Sequence, residues 1–317
     1  MLSYAIRRVL QMILVLFFVS LLVFVFIKLA PGDPARLIAG MTATPDTVEI
    51  IRHEFGLDRP YHIQFARLLV GLFSARLKSL TYRAPIRDLV IERARASIEL
   101  GLVALLLTVI ISIPFGVISA LTRGSPADYA ISLLALVGIS TPVFWLAIIL
   151  MSVFGIHLGI LPISGRGATI GGWSFVTLDG LRHLVIPGVA LAAIQLALNT
   201  RLTRSSMLEI LNQDYLRTAR AKGVKTRVVI IKHAFRNAML PVLTNVGIQI
   251  GGFLSGAVLT ETVTAWPGLG RLMFEAISRR DEPLIIGLTF LSAFAAVFGY
   301  VVVDLLYALV DPRITYE

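Results

Sequence analysis

Not one cysteine occurs in this chain of 317 residues, which excludes disulfides, thiolate metal sites and cysteine nucleophiles. Charge is scarce as well: Asp, Glu, Lys and Arg make up 15% of the residues, against about 25% in an ordinary soluble domain. Also missing is a Gly-x-x-x-x-Gly-Lys-Ser/Thr phosphate loop, because Lys222-Gly223 and Lys225-Thr226 lack the preceding glycine. The histidines, His53, His62, His157, His183 and His233, are scattered without metal-ligand spacing. Ser164-Gly165 and similar pairs form no nucleophile elbow. The chain therefore reads as no enzyme, with no catalytic residue, metal site or cofactor of its own, and any ATP hydrolysis has to come from another chain.

What fills the space is apolar. Hydrophobic residues reach 56% and mean hydropathy is +0.83, above the roughly 45–50% of globular proteins. Arg7 and Arg8 precede a run from Val9 to Ala30 that only Gln11, Ser20 and Lys28 interrupt. A membrane span needs about 20 residues and a signal-peptide core about 7–15. The run thus reads as an uncleaved first span with its N-terminus inside, and with Lys28 snorkelling to the outer interface. Residues 31–95 form a polar excursion. In it Thr44 and Pro45 predict a capped helix that Gly56 can end, a second helix is expected over 61–73, and an amphipathic one over 85–95. Further spans are expected at 97–121, at 129–154 with a break at Thr141-Pro142, and at 184–200, 241–263 and 283–309.

Six spans put both termini in the cytoplasm, and charge agrees. The expected outer loops 155–182 and 264–282 carry two and three basic residues, whereas residues 201–236 carry nine against Glu209 and Asp214, net +7. The ten basic residues of the 31–95 excursion do not oppose an outer location, since the rule applies to short loops. Most of the net charge of +10 sits in one loop, which points to membrane lipid and protein partners rather than nucleic acid.

That loop, 209–241, is helix-patterned. Asp214 reads as the N-cap of a helix over Tyr215 to Lys222, with Gly223 as the left-handed residue that closes it. From Thr226 a second helix is expected to lie on the membrane surface until Pro241 opens the next span. The plainer reading is a basic segment drawn to anionic lipid. The sharper one is a docking surface for a soluble partner.

Tyr215-Leu216-Arg217-Thr218-Ala219-Arg220-Ala221-Lys222-Gly223 resembles the Glu-Ala-Ala cytoplasmic loop of bacterial ABC importer permeases. Arg217 stands where the general pattern has Glu, Thr218 where it has the first Ala, and His233-Ala234-Phe235-Arg236 replaces Ile-x-Leu-Pro. These departures resemble the first, B-type, permease of the dipeptide, oligopeptide and nickel systems. The resemblance continues through Pro31-Gly32-Asp33-Pro34, Phe55-Gly56-Leu57-Asp58-Arg59-Pro60, Glu261-Thr262, Trp266-Pro267-Gly268-Leu269-Gly270-Arg271 and Asp311-Pro312-Arg313. It implies an all-α polytopic membrane protein of six transmembrane helices with the type I ABC importer permease fold. It divides the chain into an N-terminal helix (1–30), a helical periplasmic insertion (31–95) and a permease core (96–317). It also implies a bacterial inner-membrane location, a second permease, two ATPase subunits that bind ATP and Mg, and a periplasmic or lipid-anchored solute-binding protein. The cargo is then peptide-like, although some relatives carry nickel, glutathione, opines or sugars. The ATPase-coupling residues implied are Tyr215, Arg217, Thr218, Ala219, Arg220, Ala221, Lys222 and Gly223.

Polar residues inside spans have two readings. Gln195 and Asn199 lie one helical turn apart, as do Asn245 and Gln249. They serve either as hydrogen bonds between helices, about 1 kcal/mol each, or as the lining of a translocation path. The pairs Gly247/Gly251 and Gly252/Gly256 suit close helix packing. The alternative function, an ion-gradient-driven secondary transporter, would need a carboxylate at mid-membrane. Only Glu99 and Asp304 lie in or near spans, and no inverted repeat is visible. A purely structural membrane anchor is a third reading.

Overall fold

A chain this apolar satisfies its backbone by helix, and the computed structural model, which describes residues 2–40, 42–74, 77–254 and 258–310, is helical throughout except for loops and isolated β-bridges. The first span is α1 (Leu2–Leu29). Asp33 caps α2 (Pro34–Ala39) and Thr44 caps α3 (Pro45–Glu54), with proline at the start of each. α4 (Tyr61–Phe73) has the expected bounds.

Two expected helices merge. The amphipathic segment over 85–95 and the second span form one 36-residue helix, α5 (Ile86–Leu121). No glycine or proline separates Arg95 from Ser97, so only the surroundings change there, not the backbone. α6 (Pro126–Ser140) and α7 (Val143–Leu150) are bent by 108° at Thr141-Pro142, and α7 runs on as a π-helical turn, Met151–His157. α8 (Leu178–Leu211) carries the fourth expected span and extends past it. After α9 (Asp214–Ala221) come α10 (Thr226–Val228), a π-helical turn Val229–Phe235 and α11 (Arg236–Leu254) as one helical run. α12 (Val258–Val263), α13 (Leu269–Ser278) and α14 (Glu282–Val310) complete the chain.

Among the described residues, four helices are long and apolar enough to cross a membrane, in α1, α5, α8 and α14, and the bent α6–α7 pair adds a fifth if it is one span. The remaining expected span, 241–263, falls on α11 and α12. Gly256 and Asp311-Pro312-Arg313 lie outside the described residues, as do the surroundings of Gly251 and Gly252 and the side chain of Asp304.

α5 packs along α8, flanked by α6 and α11, while α14 joins α11 to α1. A Cβ at Gly116 would sit 2.4 Å from Thr203 Cβ and 2.8 Å from the Thr200 carbonyl oxygen, so glycine is what lets α5 and α8 approach. Lys28 does not snorkel. Its Nζ donates to Gln64 Oε1 and to Glu282 Oε2, both at 2.7 Å, and ties α1, α4 and α14 together. Snorkelling is the option of an unpaired cation, and here a partner carboxylate is within reach.

Candidate functional site

The basic loop is built on α9, whose start differs from expectation. Gln213, not Asp214, occupies the N-cap position and gives no side-chain cap. Asp214 sits in the first turn, exposed, with Oδ1 3.4 Å from Arg217 Nη1. A carboxylate serves either position, because in the first turn it still faces the positive end of the helix dipole. The far end matches expectation: Gly223 has φ +76°. Its amide donates to Arg220 O at 3.0 Å and the Val224 amide donates to Ala219 O at 3.2 Å, the two bonds of a Schellman motif. No atom lies within 4 Å of a Cβ built there, so the demand for glycine comes from the backbone alone.

α9 has two faces. Leu216 is fully buried in a cluster with Ala120 of α5, Met207 of α8, Val229 and Ala234 of the π turn, and Val242 of α11, against which Ala219 and Val224 also pack. Arg217, Thr218, Arg220, Ala221 and Lys222 are exposed, as is Gly223. Tyr215 clasps the loop to its return: its hydroxyl donates to His233 O at 3.3 Å and accepts from Asn237 Nδ2 at 2.9 Å. The run after Thr226 does not rest on a surface until Pro241, because Val229 and Ala234 are fully buried and Pro241 lies inside α11. The apolar residues there are spaced to meet α9 and α8, a tertiary demand that outweighs the local cost of the proline.

Beneath the loop lies an ion pair that sequence reasoning missed. Arg204 of α8 donates from Nε and Nη2 to Asp128 Oδ1 and Oδ2 at 2.8 and 2.9 Å. Asp128 also accepts from Ser119 Oγ and from the Gly124 amide. One carboxylate thereby joins α5, the turn after it, α6 and α8. An acid in a short loop followed far along the chain by an arginine gives no local signal of such a pair.

Of the four polar span residues, three meet. Asn245 Nδ2 donates to Asn199 Oδ1 at 2.8 Å, and Asn199 Nδ2 donates to Gln249 Oε1 at 3.4 Å, linking α8 to α11. Gln249 Nε2 is buried and without a partner among the described residues. Gln195 stands apart from this chain. Asn245 also borders an open cavity of about 790 Å³ that Ser132, Leu198, Arg201 and Ser205 help to line.

The opposite end of the bundle is organised by acids. Glu99 of α5 is fully buried and accepts from Arg166 Nη2 at 2.6 Å and from the Ser174 and Phe175 amides at 2.6 Å. It thereby anchors the loop between α7 and α8. Glu261 accepts from Ser97 Oγ at 2.6 Å and the Arg271 amide at 3.0 Å, while Trp266 Nε1 donates to Ala96 O at 2.9 Å. The stretch from Glu261 to Arg271 is thereby fastened to the first third of α5.

The family model for binding-protein-dependent transport system inner membrane components matches residues 112–316, and the model for the N-terminal part of such membrane components matches residues 1–86. The chain is 41% identical to the dipeptide transport system permease protein DppB of Alkalihalophilus pseudofirmus and 38% identical to that of Escherichia coli K12. It is 40% identical to the oligopeptide transport system permease protein AppB of Bacillus subtilis; all three alignments cover 100% of both chains. A chain of the inward-facing MetNI methionine ABC transporter superposes with a TM-score of 0.51 at 18% identity, covering 70% of this chain and 98% of that one, a likeness of fold.

Proposed function

Since the chain belongs to the family of binding-protein-dependent transport system inner membrane components, we propose that it is the first of two membrane subunits in an ATP-driven importer of di- or oligopeptides. α9 is then the element on which the ATPases act. It is a multi-pass membrane protein and not an enzyme. In this reading a second permease completes the path, two ATPase subunits bind ATP and Mg against the basic loop, and a solute-binding protein delivers the peptide at the acidic end. Both termini and the loop 209–241 then face the cytoplasm, and the segment 31–95 is entered and left on the other side.

One observation carries the reading: α9 exposes Arg217 and Arg220, with Lys222 exposed just past its end, while Leu216 is buried against α5, α8 and α11. A push on such a helix moves the spans beneath it, since a packed contact transmits displacement. Of the polar quartet, Asn245 is the member that we assign to the path, because it borders the cavity, while Asn199 and Gln249 hold α8 to α11. The ion-gradient alternative gains nothing from Glu99, which Arg166 and two amides already engage.

The test is the Gly223→Val variant beside Gly223→Ala. Positive φ costs an L-residue about 1–2 kcal/mol and is worst for a β-branched one. Complex assembly, binding-protein-stimulated ATP hydrolysis and peptide uptake are measured in the same membranes. Graded loss of coupling with the permease pair still assembled is expected. Normal uptake by Gly223→Val at normal levels would reduce the loop to a basic segment on the membrane surface.

A further inference from the structure

We propose that α4 is a half-spanning helix that ends near the middle of the membrane, and that the cavity beyond its end holds a lipid acyl chain. The depth follows from three helices that share one polar mark, the Lys28–Gln64–Glu282 cluster. Phe17 lies eleven residues before Lys28 on α1, Phe73 nine after Gln64 on α4, and Phe290 eight after Glu282 on α14. At about 1.5 Å per residue these are roughly 16, 14 and 12 Å from the mark, in a hydrocarbon core about 30 Å thick. The three counts agree within about 5 Å; Phe73 meets Phe290 edge-on at 5.7 Å, and both border one cavity with Phe17.

The composition of α4 fits that depth. Beyond Arg67 it is Leu68-Leu69-Val70-Gly71-Leu72-Phe73, without a polar side chain. Its inner face packs Leu68 against Phe24 of α1 and Ile286 of α14, while Val70 and Phe73 are 68% and 75% exposed. Apolar exposure of that size suits hydrocarbon, not water.

A helix that stops halfway covers only half of the seam between α1 and α14. Just past its end is a cavity of about 280 Å³ walled by Met12, Ile13 and Phe17 of α1, Leu69 and Phe73 of α4, and Phe294 of α14. No polar side chain lines it, so water finds no partner there. Ile13 and Phe17 also belong to the exposed apolar face of α1, which is a membrane span, so the cavity is continuous with the surface that lipid covers. The occupant that this surface supplies is an acyl chain, entering from the leaflet on the side where α1 begins.

The test uses the cysteine-free chain in the assembled complex, with the unsubstituted complex labelled in parallel as a blank. Leu69→Cys and Val70→Cys are each labelled with bimane in vesicles that contain phosphatidylcholine with a nitroxide on its acyl chain. Loss of most of the fluorescence to the lipid nitroxide, and little loss to aqueous iodide, is expected at both positions. Ile13→Phe, whose ring narrows the cavity, should reduce the loss at 69 and leave that at 70 unchanged. Quenching by iodide would place α4 in water and overturn the depth. No quenching by either reagent at 69 would mean that protein fills the cavity, and no effect of Ile13→Phe would mean that the acyl chain lies elsewhere; each overturns the site.

Discussion

Where α5 begins, the buried carboxylates Glu99, Glu261, Asp281 and Glu282 spend their charge inside the protein, on loop amides, hydroxyls, Arg166 and Lys28. Where α5 ends, the cations of α9 face outward, and what fixes the helix is Leu216 with small apolar neighbours. Hydrogen bonds to a buried carboxylate are directional, so the first end holds its loops in one arrangement. Apolar contacts are not directional, and exposed surface cations remain available to a partner. The first end is therefore made to keep a shape and the second to take a load. Asp128 with Arg204 is the exception at the second end, and it sits at the base of the loop rather than on α9.

The comparison breaks most visibly at Arg166. Arg166→Ala leaves Glu99 buried with two amides but no cation, and removal of one partner from a buried pair costs about 3–5 kcal/mol. Thermal unfolding in detergent should show that loss, and Glu99→Leu added to Arg166→Ala should recover much of it, since no charge is then left buried. A single variant as stable as the unsubstituted chain would show that this end does not depend on its charges.

Next in size is Leu216→Ala. Truncation of a buried leucine costs about 2–5 kcal/mol, and the low end applies here because an eight-residue helix with one exposed face can settle into the gap. Hydrogen exchange should quicken over residues 214–224 and stay unchanged in the loop that Glu99 anchors. Faster exchange in both places would mean that the two ends are not independently held.

The sequence was legible where a local rule decides the backbone. Thr44-Pro45 opens α3, Thr141-Pro142 breaks the third span, and Gly223 closes α9 through its positive φ. The family resemblance was legible for the same reason, being carried by contiguous motifs. What stayed hidden was set by partners far along the chain. Glu99 looked like a coupling acid until Arg166, 67 residues away, came to lie on it. Lys28 looked like a snorkelling end, yet its carboxylate partner is 254 residues on. Pro241 looked like the start of a helix, but burial of Val229 and Ala234 carries the helix through it. Three of the four polar span residues proved to be one hydrogen-bonded chain, while Gln195, equally well placed by spacing, stands outside it, because spacing fixes a face and not what that face meets.

The smallest effect on stability is the sharpest test of the contrast. Arg217 and Lys222 are exposed, and the contact of Arg217 with Asp214 is a surface pair between side chains 75% and 93% exposed. Such pairs contribute about 0–1 kcal/mol, and surface changes of this kind usually stay within about 0.5 kcal/mol. Arg217→Ala with Lys222→Ala should thus leave the melting temperature of the chain almost where it was. If the outward cations of α9 meet the ATPases, the same variant should weaken ATPase retention, and added salt should mimic it in the unsubstituted complex, since surface charges are screened within about 10 Å at 0.1 M ionic strength. Leu216→Ala would do the reverse: it would loosen α9 and leave the salt response intact. Full ATPase retention by the doubly substituted chain at every salt concentration would mean that the exposed face of α9 carries charge without using it, and the difference between the two ends would then be one of packing alone.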